Sequence, residues 1–249
     1  MLAETRRPDT TFWVDPGAVS EPRLTLDADE SRHLLRVHRA HPGTPFEAVD
    51  GAGTVYHCEL ESASDGIAVG RIETRERDRG ELGVPVHLLV GIPDLASVEI
   101  VVEHAVPLGA TALDFVACAR SGRPALGAAR LERLARVARS ALKQSRRSWL
   151  PSLASSESLG AAVAACLKGD RFAADPGGAP LGGAGSPQAP ATLAIGPPGG
   201  FAEPELRLLR EAGFQPISLG PSRLTTETAS IALLSAWRNR FLLLKFGLI

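Results

Sequence analysis

The sequence predicts an α/β protein in two parts, a small β-rich part up to about residue 80 and a larger α/β part after it. Before residue 84 the apolar segments are short and separated by Gly, Pro and Asp clusters, whereas the later ones are continuous runs that alternate with helical patterns. The formal charge also changes, from −6 over residues 1–84 to +5 over residues 85–249. A chain of 249 residues with 44% hydrophobic side chains can bury a sizeable core, which excludes a mainly disordered protein.

The N-terminal part has the pattern of a small β-barrel or β-sandwich. Its strand-forming segments are TFWV, RLTL, PFEAV, TVYHCEL and IAVGRI. One helical insert, ESRHLLRVHRA, interrupts them, and Asp29 is placed to cap its first turn. The segment 74–83 alternates charges and ends in glycines, which is typical of a solvated connector. We therefore expect two domains, residues 1–80 and residues 81–249.

The C-terminal part alternates buried strands with helices, which predicts a largely parallel sheet. The predicted strands are VHLLVGI, ALDFVACA, RFAAD, ATLAIG and PISLG. Helices are predicted from residue 95, at 128–147, near 157–167, at 203–212 and from about residue 227. Nine of the nineteen residues from 173 to 191 are Gly or Pro, so this stretch is predicted to be a flexible loop.

A strongly basic helix is the clearest charge feature. The span 120–147 holds nine basic residues and one acid, and its apolar stripe (Leu131, Leu134, Ala138 and Leu142) lies opposite the arginines. Like charges at this density repel one another unless an anion neutralises them. The pattern favours contact with nucleic acid or another polyanion over an ordinary solvated face, which would carry interspersed Glu. The candidate contacts on this helix are Arg133, Arg136 and Arg139.

Two glycine-bearing loops predict a small-molecule site. The first is IGPPGGFAEPE, residues 195–205, and the second is SLGPSRLTTETA, residues 218–229, where Thr225 or Thr226 is placed to cap the last helix. Each follows a predicted strand, and loops at the carboxyl ends of neighbouring strands are where α/β sheets hold ligands. The first loop does not have the pattern of a Walker or a dinucleotide-binding loop.

Other classes of protein have little support. Three cysteines without CxxC spacing (Cys58, Cys118 and Cys166) argue against disulfides and zinc and favour the cytoplasm. The three histidines between residues 33 and 41 lack further ligands, so no metal is expected. The C-terminal run FLLLKFGLI is too short to span a membrane. The chain also lacks the GxSxG and HExxH patterns of hydrolases.

Four segments in order resemble the SPOUT methyltransferases, in the form of the ribosomal RNA small subunit methyltransferase E family. The two glycine loops resemble that family's GPEGGF and LGxRILRTETA patterns. Residues 33–51, HLLRVHRAHPGTPFEAVDG, resemble its HxxxVLRxxxGdxxxxfdG segment, and residues 143–151, KQSRRSWLP, resemble its QSxRxxxP segment. The resemblance spans nearly the whole chain.

The resemblance implies an N-terminal PUA-like β-barrel that docks RNA and a C-terminal SPOUT α/β domain with a trefoil knot around S-adenosyl-L-methionine. It implies a homodimer that methylates N3 of a uridine in 16S ribosomal RNA, with the RNA or the assembled small ribosomal subunit as partner. The positions that match the family's cofactor loops are Gly196, Pro197, Gly199, Gly200, Leu219, Gly220, Pro221, Leu224 and Thr226. The positions that match its RNA side are Arg39, Gln144, Ser145 and Arg147.

The chain departs from the family pattern at several polar positions. Pro198 stands in place of Glu, Ser222 and Thr225 in place of two Arg, His38 in place of Leu and Pro107 in place of Glu. Backbone contacts to a cofactor tolerate these changes, whereas an anionic transition state needs a cation. The catalytic candidates are Arg223, Thr225 and Glu227. We expect cofactor binding with slow methylation that rises in Thr225→Arg, unless Arg223 supplies the missing cation.

Two other functions remain open at this point. One is a non-catalytic RNA- or ribosome-binding protein that has kept the fold and lost the arginines. The other is a paralogue that methylates a different RNA or a small molecule, although the basic helix argues against a small molecule. A dimer is also expected from the last helix, whose apolar residues exceed one core stripe: Ile231, Leu234, Trp237, Phe241 and Leu244.

Overall fold

The computed structural model describes residues 10–181 and 190–247 and divides into two compact units. Of the described residues, the first unit contains 10–81 together with Arg139–Leu150. The second contains Leu82–Ala138 and the described residues from Pro151 onward. Residues 182–189 of the predicted Gly- and Pro-rich loop lie outside the described residues.

The first unit is built on one six-stranded sheet in the order β1-β4-β5-β6-β3-β2, in which β1 and β4 are parallel and the other pairs are antiparallel. Its strands are β1 (Thr11–Trp13), β2 (Val19–Ser20), β3 (Arg23–Thr25), β4 (Pro45–Val49), β5 (Thr54–Ser64) and β6 (Ile67–Arg77). A 3₁₀ turn (Pro16–Ala18), helix α1 (Ala28–Arg32) and a π-helical turn (His33–Val37) complete the unit.

The predicted strands of this unit are confirmed, but two local predictions are wrong. Asp27, rather than Asp29, caps α1, because its carboxylate accepts a hydrogen bond from the backbone N–H of Glu30 at 2.8 Å. The segment 74–83 is not wholly a connector, since β6 continues to Arg77. Its alternating charges have the period of a strand with one exposed face, which composition alone does not distinguish from a linker.

Charged side chains are buried in the first unit as pairs. The Arg147 guanidinium is 2% exposed and donates to Glu81 Oε2 at 2.6 Å. The other oxygen of Glu81 accepts from the backbone N–H groups of Ser148 and Trp149, both at 3.0 Å. One carboxylate therefore positions three consecutive residues, 147–149. Arg79 and Glu47 form a second buried pair at 2.9 Å.

The second unit is a six-stranded parallel sheet in the order β12-β10-β11-β7-β8-β9. Its strands are β7 (Val86–Gly91), β8 (Ala112–Val116), β9 (Ser152–Ser156), β10 (Asp170–Ala179), β11 (Ala191–Ile195) and β12 (Gln215–Ile217). Its helices are α2 (Leu95–Ala105), α4 (Leu159–Ala164), α5 (Glu203–Glu211) and α6 (Thr226–Lys245). Helix α3 (Ala128–Ser145) contributes residues 128–138 to this unit and 139–145 to the first.

The parallel sheet confirms the predicted architecture and adds two features. Strand β9 was not expected, because SLASS has a single large apolar residue. It is held at the sheet edge by hydroxyl groups, with Ser156 donating to Asp114 Oδ2 at 2.7 Å and Ser155 to the Phe115 carbonyl at 2.6 Å. Strand β10 runs to Ala179, into the stretch that was predicted to be a loop, with a register shift after Ala174.

Helix α6 buries three of the five apolar residues that predicted a dimer face. Leu234, Trp237 and Phe241 are all buried, and the Trp237 and Phe241 rings stack with centroids 5.3 Å apart. Only Ile231 and Leu244 of the five residues assigned to a dimer face are half-exposed. The excess of apolar residues therefore serves largely the core of the second unit, and it does not by itself require a dimer. No helix in the described ranges is long and apolar enough to cross a membrane.

The Arg147–Glu81 pair generates a stability prediction. Arg147→Ala leaves the Glu81 carboxylate buried without its cation and is expected to lower the free energy of unfolding by about 3–5 kcal/mol. Urea denaturation followed by far-UV circular dichroism measures this difference. The matched control is Arg23→Ala, which removes the exposed partner of Glu61 and should leave the unfolding midpoint nearly unchanged. Equal midpoints for the two variants would show that the buried pair does not stabilise the unit.

Candidate functional site

A pocket of about 520 Å³ lies at the carboxyl edge of the parallel sheet in the second unit. Its walls are the two loops that follow β11 and β12, together with residues 174–176 at the irregular part of β10. Because β10 lies between β11 and β12 in the sheet, the carboxyl ends of all three strands meet here. The two glycine loops of the sequence are thus brought into one site.

The first loop turns sharply at its glycines. Gly200 has φ +71°, a value that favours glycine, and its N–H donates to the Pro197 carbonyl at 2.7 Å. Pro197 packs directly against β7, because a Cβ placed on Gly91 would lie 2.5 Å from the Pro197 ring. A Cβ on Gly196 would in turn meet the Phe201 nitrogen at 2.9 Å. These close approaches leave room only for glycine at positions 91 and 196.

The second loop is tied to the first by side chains. The Thr226 hydroxyl donates to the Gly196 carbonyl at 3.1 Å, and the Arg223 guanidinium donates to the Pro198 carbonyl at 3.1 Å. Gly220 has φ +109°, and a Cβ placed there meets no atom within 4 Å. The backbone at Gly220 is therefore open on the side where a side chain would stand.

All nine residues matched to the family's cofactor loops line this pocket. They are Gly196, Pro197, Gly199, Gly200, Leu219, Gly220, Pro221, Leu224 and Thr226. The structure brings them together from two segments about 25 residues apart in the chain. Their role in cofactor binding stays a prediction.

The three catalytic candidates lie in different surroundings. Arg223 is exposed and lines the pocket. Thr225 caps α6 as predicted for one of the two threonines, because its Oγ1 accepts from the Thr228 N–H at 3.4 Å and donates to the Thr228 hydroxyl at 2.9 Å. Glu227 is half-buried in the first turn of α6 and is not among the residues that line the pocket. Arg223 is thus the candidate best placed to meet a ligand.

Three residues of the site were missed by the sequence analysis. Arg120 donates to the carbonyls of Gly199 and Phe201 at 3.1 and 3.2 Å, although its position suggested only a basic span. Glu205 bridges the same region, accepting from Ala202 N at 2.7 Å and Ala119 N at 2.8 Å. Asp175 lines the pocket. The sequence pointed to it only as an acid at the end of a predicted buried strand.

The residues of the first unit that are predicted to contact RNA, from the family match or from the basic helix, differ in exposure. Arg39, Arg139 and Gln144 are exposed, and Arg139 lies 4.7 Å above the Trp13 ring. The Ser145 hydroxyl donates a hydrogen bond to the Ala141 carbonyl at 2.7 Å. The structure corrects the prediction that Arg147 contacts RNA. Arg147 is buried against Glu81, so it has a structural role and cannot present its guanidinium to a phosphate.

The basic face of α3 in the second unit is partly neutralised. Glu99 of α2 accepts from Arg133 at 2.6 and 3.0 Å and from Arg130 at 3.2 Å. These bonds lower the pKa of the Glu99 carboxyl, with the hydrogen bond from Arg133 as the largest cause. The sequence predicts few acids on this face, but Glu99 supplies one from another helix. Arg136 is exposed and makes no ion pair with any described residue.

The histidines near residue 33 pack together as rings. His33 and His38 lie with centroids 4.9 Å apart, and each contacts Phe12 edge to face. Within residues 10–181 and 190–247, no three His, Cys, Asp or Glu side chains form a group that could hold a metal ion.

Two family models match the chain. An RNA methyltransferase PUA domain matches residues 26–73, and an RNA methyltransferase domain matches residues 80–238. The fold and these matches define the class of protein: an RNA methyltransferase with a PUA domain followed by an α/β catalytic domain.

The similar proteins identify the particular family. A ribosomal RNA small subunit methyltransferase E of Synechocystis is 32% identical over 225 residues, covering 87% of this chain and 73% of the relative. A relative of the same name from Mycobacterium bovis is 29% identical, covering 90% and 89%. The chain belongs to the ribosomal RNA small subunit methyltransferase E family.

Solved structures agree with this membership. The ribosomal RNA small subunit methyltransferase E from Neisseria gonorrhoeae, solved with S-adenosyl methionine bound, is 25% identical with a TM-score of 0.83, covering 93% of this chain and 97% of that one. A probable rRNA methyltransferase from Porphyromonas gingivalis is 26% identical with a TM-score of 0.81, covering 93% and 98%. The predicted PUA-like and SPOUT-type fold is confirmed, while the knot stays a prediction.

The surroundings of Cys118 generate a pH prediction. Burial first and the Glu205 carboxylate second raise the pKa of this thiol to about 12, so the reactive thiolate is scarce between about pH 7 and 10. Glu205→Gln removes the negative charge, lowers the pKa and is expected to speed alkylation by iodoacetamide several-fold. Mass spectrometry of the labelled peptides measures the rates.

Cys58 is the matched control, because burial also raises the pKa of its thiol to about 12 and Glu205 is not among the causes. Its alkylation rate should be the same in wild type and in Glu205→Gln. Equal acceleration at both cysteines would mean that the variant loosens the fold rather than changing one thiol.

Proposed function

We propose that this protein transfers a methyl group from S-adenosyl-L-methionine to N3 of a uridine in 16S ribosomal RNA. The observation that carries the proposal is the pocket that the two glycine loops form together in a chain of this family. A non-catalytic RNA-binding protein and a paralogue with another substrate are the alternatives. The structure gives neither of them a specific observation in its favour.

The pocket fits a cofactor of this kind. Its volume of about 520 Å³ lies within the range of sites that enclose a small molecule. The glycines at 200 and 220 leave open space where side chains would stand, so a ligand can approach the backbone closely. The residues named for this role are the nine loop residues given above, and a purine or ribose would meet mainly backbone N–H and C=O groups.

The cofactor supplies an electrophilic methyl group on a sulfonium when it is bound. The protein must then hold the uridine with N3 in line with that methyl group, exclude water and favour loss of the N3 proton. Arg223 is suited to the last task, since its guanidinium is held at the pocket by the Pro198 carbonyl. A fixed cation stabilises the negative charge that develops as N3 loses its proton.

Arg223 thus takes the place of the family arginines at the positions of Ser222 and Thr225. Thr225 already caps α6, so Thr225→Arg would remove the cap and cost about 1 kcal/mol. This geometry favours a displaced cation over a weakened enzyme. It revises the expectation that Thr225→Arg raises the rate.

RNA docking belongs to this proposal as well. The surface offers RNA five exposed contacts: the cations Arg39, Arg133, Arg136 and Arg139, together with Gln144.

We also propose a homodimer, in which the half-exposed Ile231 and Leu244 of α6 meet a second copy, and action in the cytoplasm, where ribosomal RNA is found. The domain boundary at residues 80 and 81 and the trefoil knot are part of the same proposal.

The reaction is tested by labelled-methyl transfer to small ribosomal subunits that lack the modification. We expect incorporation by wild type and a loss of about 100-fold or more in kcat for Arg223→Ala, since one donor to a developing anion has about this effect. Calorimetry should give the same S-adenosyl-L-methionine affinity for both proteins. A wild type without incorporation would refute the proposed activity.

Thr225→Val is the matched control, because it removes the neighbouring hydroxyl and the helix cap without touching the pocket lining. Its melting temperature should fall while kcat changes little. Full activity of Arg223→Ala together with a faster Thr225→Arg would show that the cation is not Arg223.

The RNA contact predicts a salt dependence. Arg136→Ala removes one exposed cation and is expected to flatten the plot of log affinity against log salt by about 0.7–0.9. Filter binding to ribosomal RNA between low and high salt measures the slope. Arg207→Ala on α5 is the control, since this exposed arginine has no proposed RNA role. Identical slopes for wild type and Arg136→Ala would remove this residue from the RNA site.

A further inference from the structure

Trp149 stands out among the three tryptophans of this chain. Trp13 and Trp237 are buried, at 8% and 3% exposure, whereas Trp149 is 42% exposed. A large part of the Trp149 ring is therefore open to a partner that stacks on it.

The exposed indole is held rigidly within the first unit. Its Nε1–H donates to Asp78 Oδ1 at 2.7 Å, and its backbone N–H donates to Glu81 Oε1 at 3.0 Å. Gly53 lies against one part of the ring, since a Cβ placed there would be 2.5 Å from the indole. A backbone bridge pairs Ala52 with Trp149. The ring is thus fixed on one side and open to solvent on the other.

The turn beneath the indole is itself rigid. The Asp50 carboxylate accepts from Ala52 N at 2.8 Å and from Thr54 N at 3.0 Å. Gly53 N donates to the Ser148 carbonyl at 3.0 Å, and Asp78 N donates to the Gly53 carbonyl at 2.9 Å. Little conformational entropy would be lost when a flat partner settles on the ring.

Arg77 directly precedes Asp78, the residue that accepts from the indole. Arg77 is paired with Thr54 in the β5–β6 register, and its guanidinium donates to the Thr54 hydroxyl at 2.6 Å, one residue from Gly53. Arg77 is exposed and forms no ion pair with a described residue. An open aromatic face, together with an exposed arginine at the same end of the β5–β6 pair, matches the chemistry of an unpaired nucleotide, with its base on the ring and its phosphate on the cation.

We propose that Trp149 is a stacking platform for an unpaired base of the RNA substrate, with Arg77 on the adjoining phosphate. This rests on the proposed function for the identity of the RNA, and it adds a positioning residue outside the methyl-transfer pocket. The platform holds the substrate without touching the reacting atoms. Its loss should therefore raise KM and leave kcat nearly unchanged.

The experiment uses the full chain and a single-stranded uridine octanucleotide. Stacking of a base on an indole quenches its fluorescence, so wild type should lose intensity as the octanucleotide is added. Trp149→Phe keeps a stacking surface and should bind with an affinity within about twofold by anisotropy of a labelled octanucleotide, but without the quenching. Trp237→Phe is the matched control and should retain the quenching, because Trp237 is buried.

Trp149→Ala should weaken octanucleotide binding about tenfold and raise KM for small ribosomal subunits similarly. Its S-adenosyl-L-methionine affinity should match wild type. Its melting temperature should fall no further than that of Trp149→Phe, which also loses the bond to Asp78 but should keep the octanucleotide affinity. Unchanged binding by Trp149→Ala, quenching that persists in Trp149→Phe, or an altered oligomeric state in Trp149→Ala would overturn the proposal. Quenching in a wild type that transfers no methyl group would leave the platform standing and refute only the proposed reaction.

Discussion

The bond between the Thr226 hydroxyl and the Gly196 carbonyl is the contact on which the rest of the pocket depends. It joins the first residue of α6 to the residue that follows β11, so the start of a helix and the end of a strand hold one another. The close packing of Pro197 on Gly91 fixes the same loop against β7. These contacts are made by backbone atoms and short side chains, so the glycines around them remain open toward a ligand. Because the loops are already fixed, ligand binding would cost little conformational entropy.

Electrostatics in this protein are organised by acids that come from distant positions in the chain. Glu81 pairs with Arg147, and Glu99 pairs with Arg130 and Arg133. Several arginines of the basic span therefore already have an acidic partner. A buried arginine with a full set of partners cannot also bind a phosphate, because withdrawing it would leave a carboxylate buried alone. The cations left for RNA are those whose side chains stay exposed, such as Arg136.

Particular elements show how far the sequence reaches. The alternation of apolar runs with helices predicted the parallel sheet, since burial on both faces produces that pattern. Strand β9 was not predicted because backbone pairing with β8 and two serine hydroxyl bonds, rather than a run of apolar residues, attach SLASS to the sheet. The second half of strand β10 was predicted to be a loop, because Gly and Pro usually mark loops but here occupy an irregular strand. Arg120 and Glu205 were missed as site residues because their partners lie about 80 residues away.

The sequence by itself determined the class of fold, the family and the two loops that carry the pocket. Hydrophobic period and glycine placement are local, and the family resemblance lies in four contiguous segments. Only the tertiary structure decided which side chains are free to act. It buried Arg147, gave Thr225 to a helix cap, placed Arg223 at the pocket and left Trp149 exposed. These outcomes depend on partners that are distant in the chain, and residue type alone does not specify which carboxylate, carbonyl or strand end a side chain will meet.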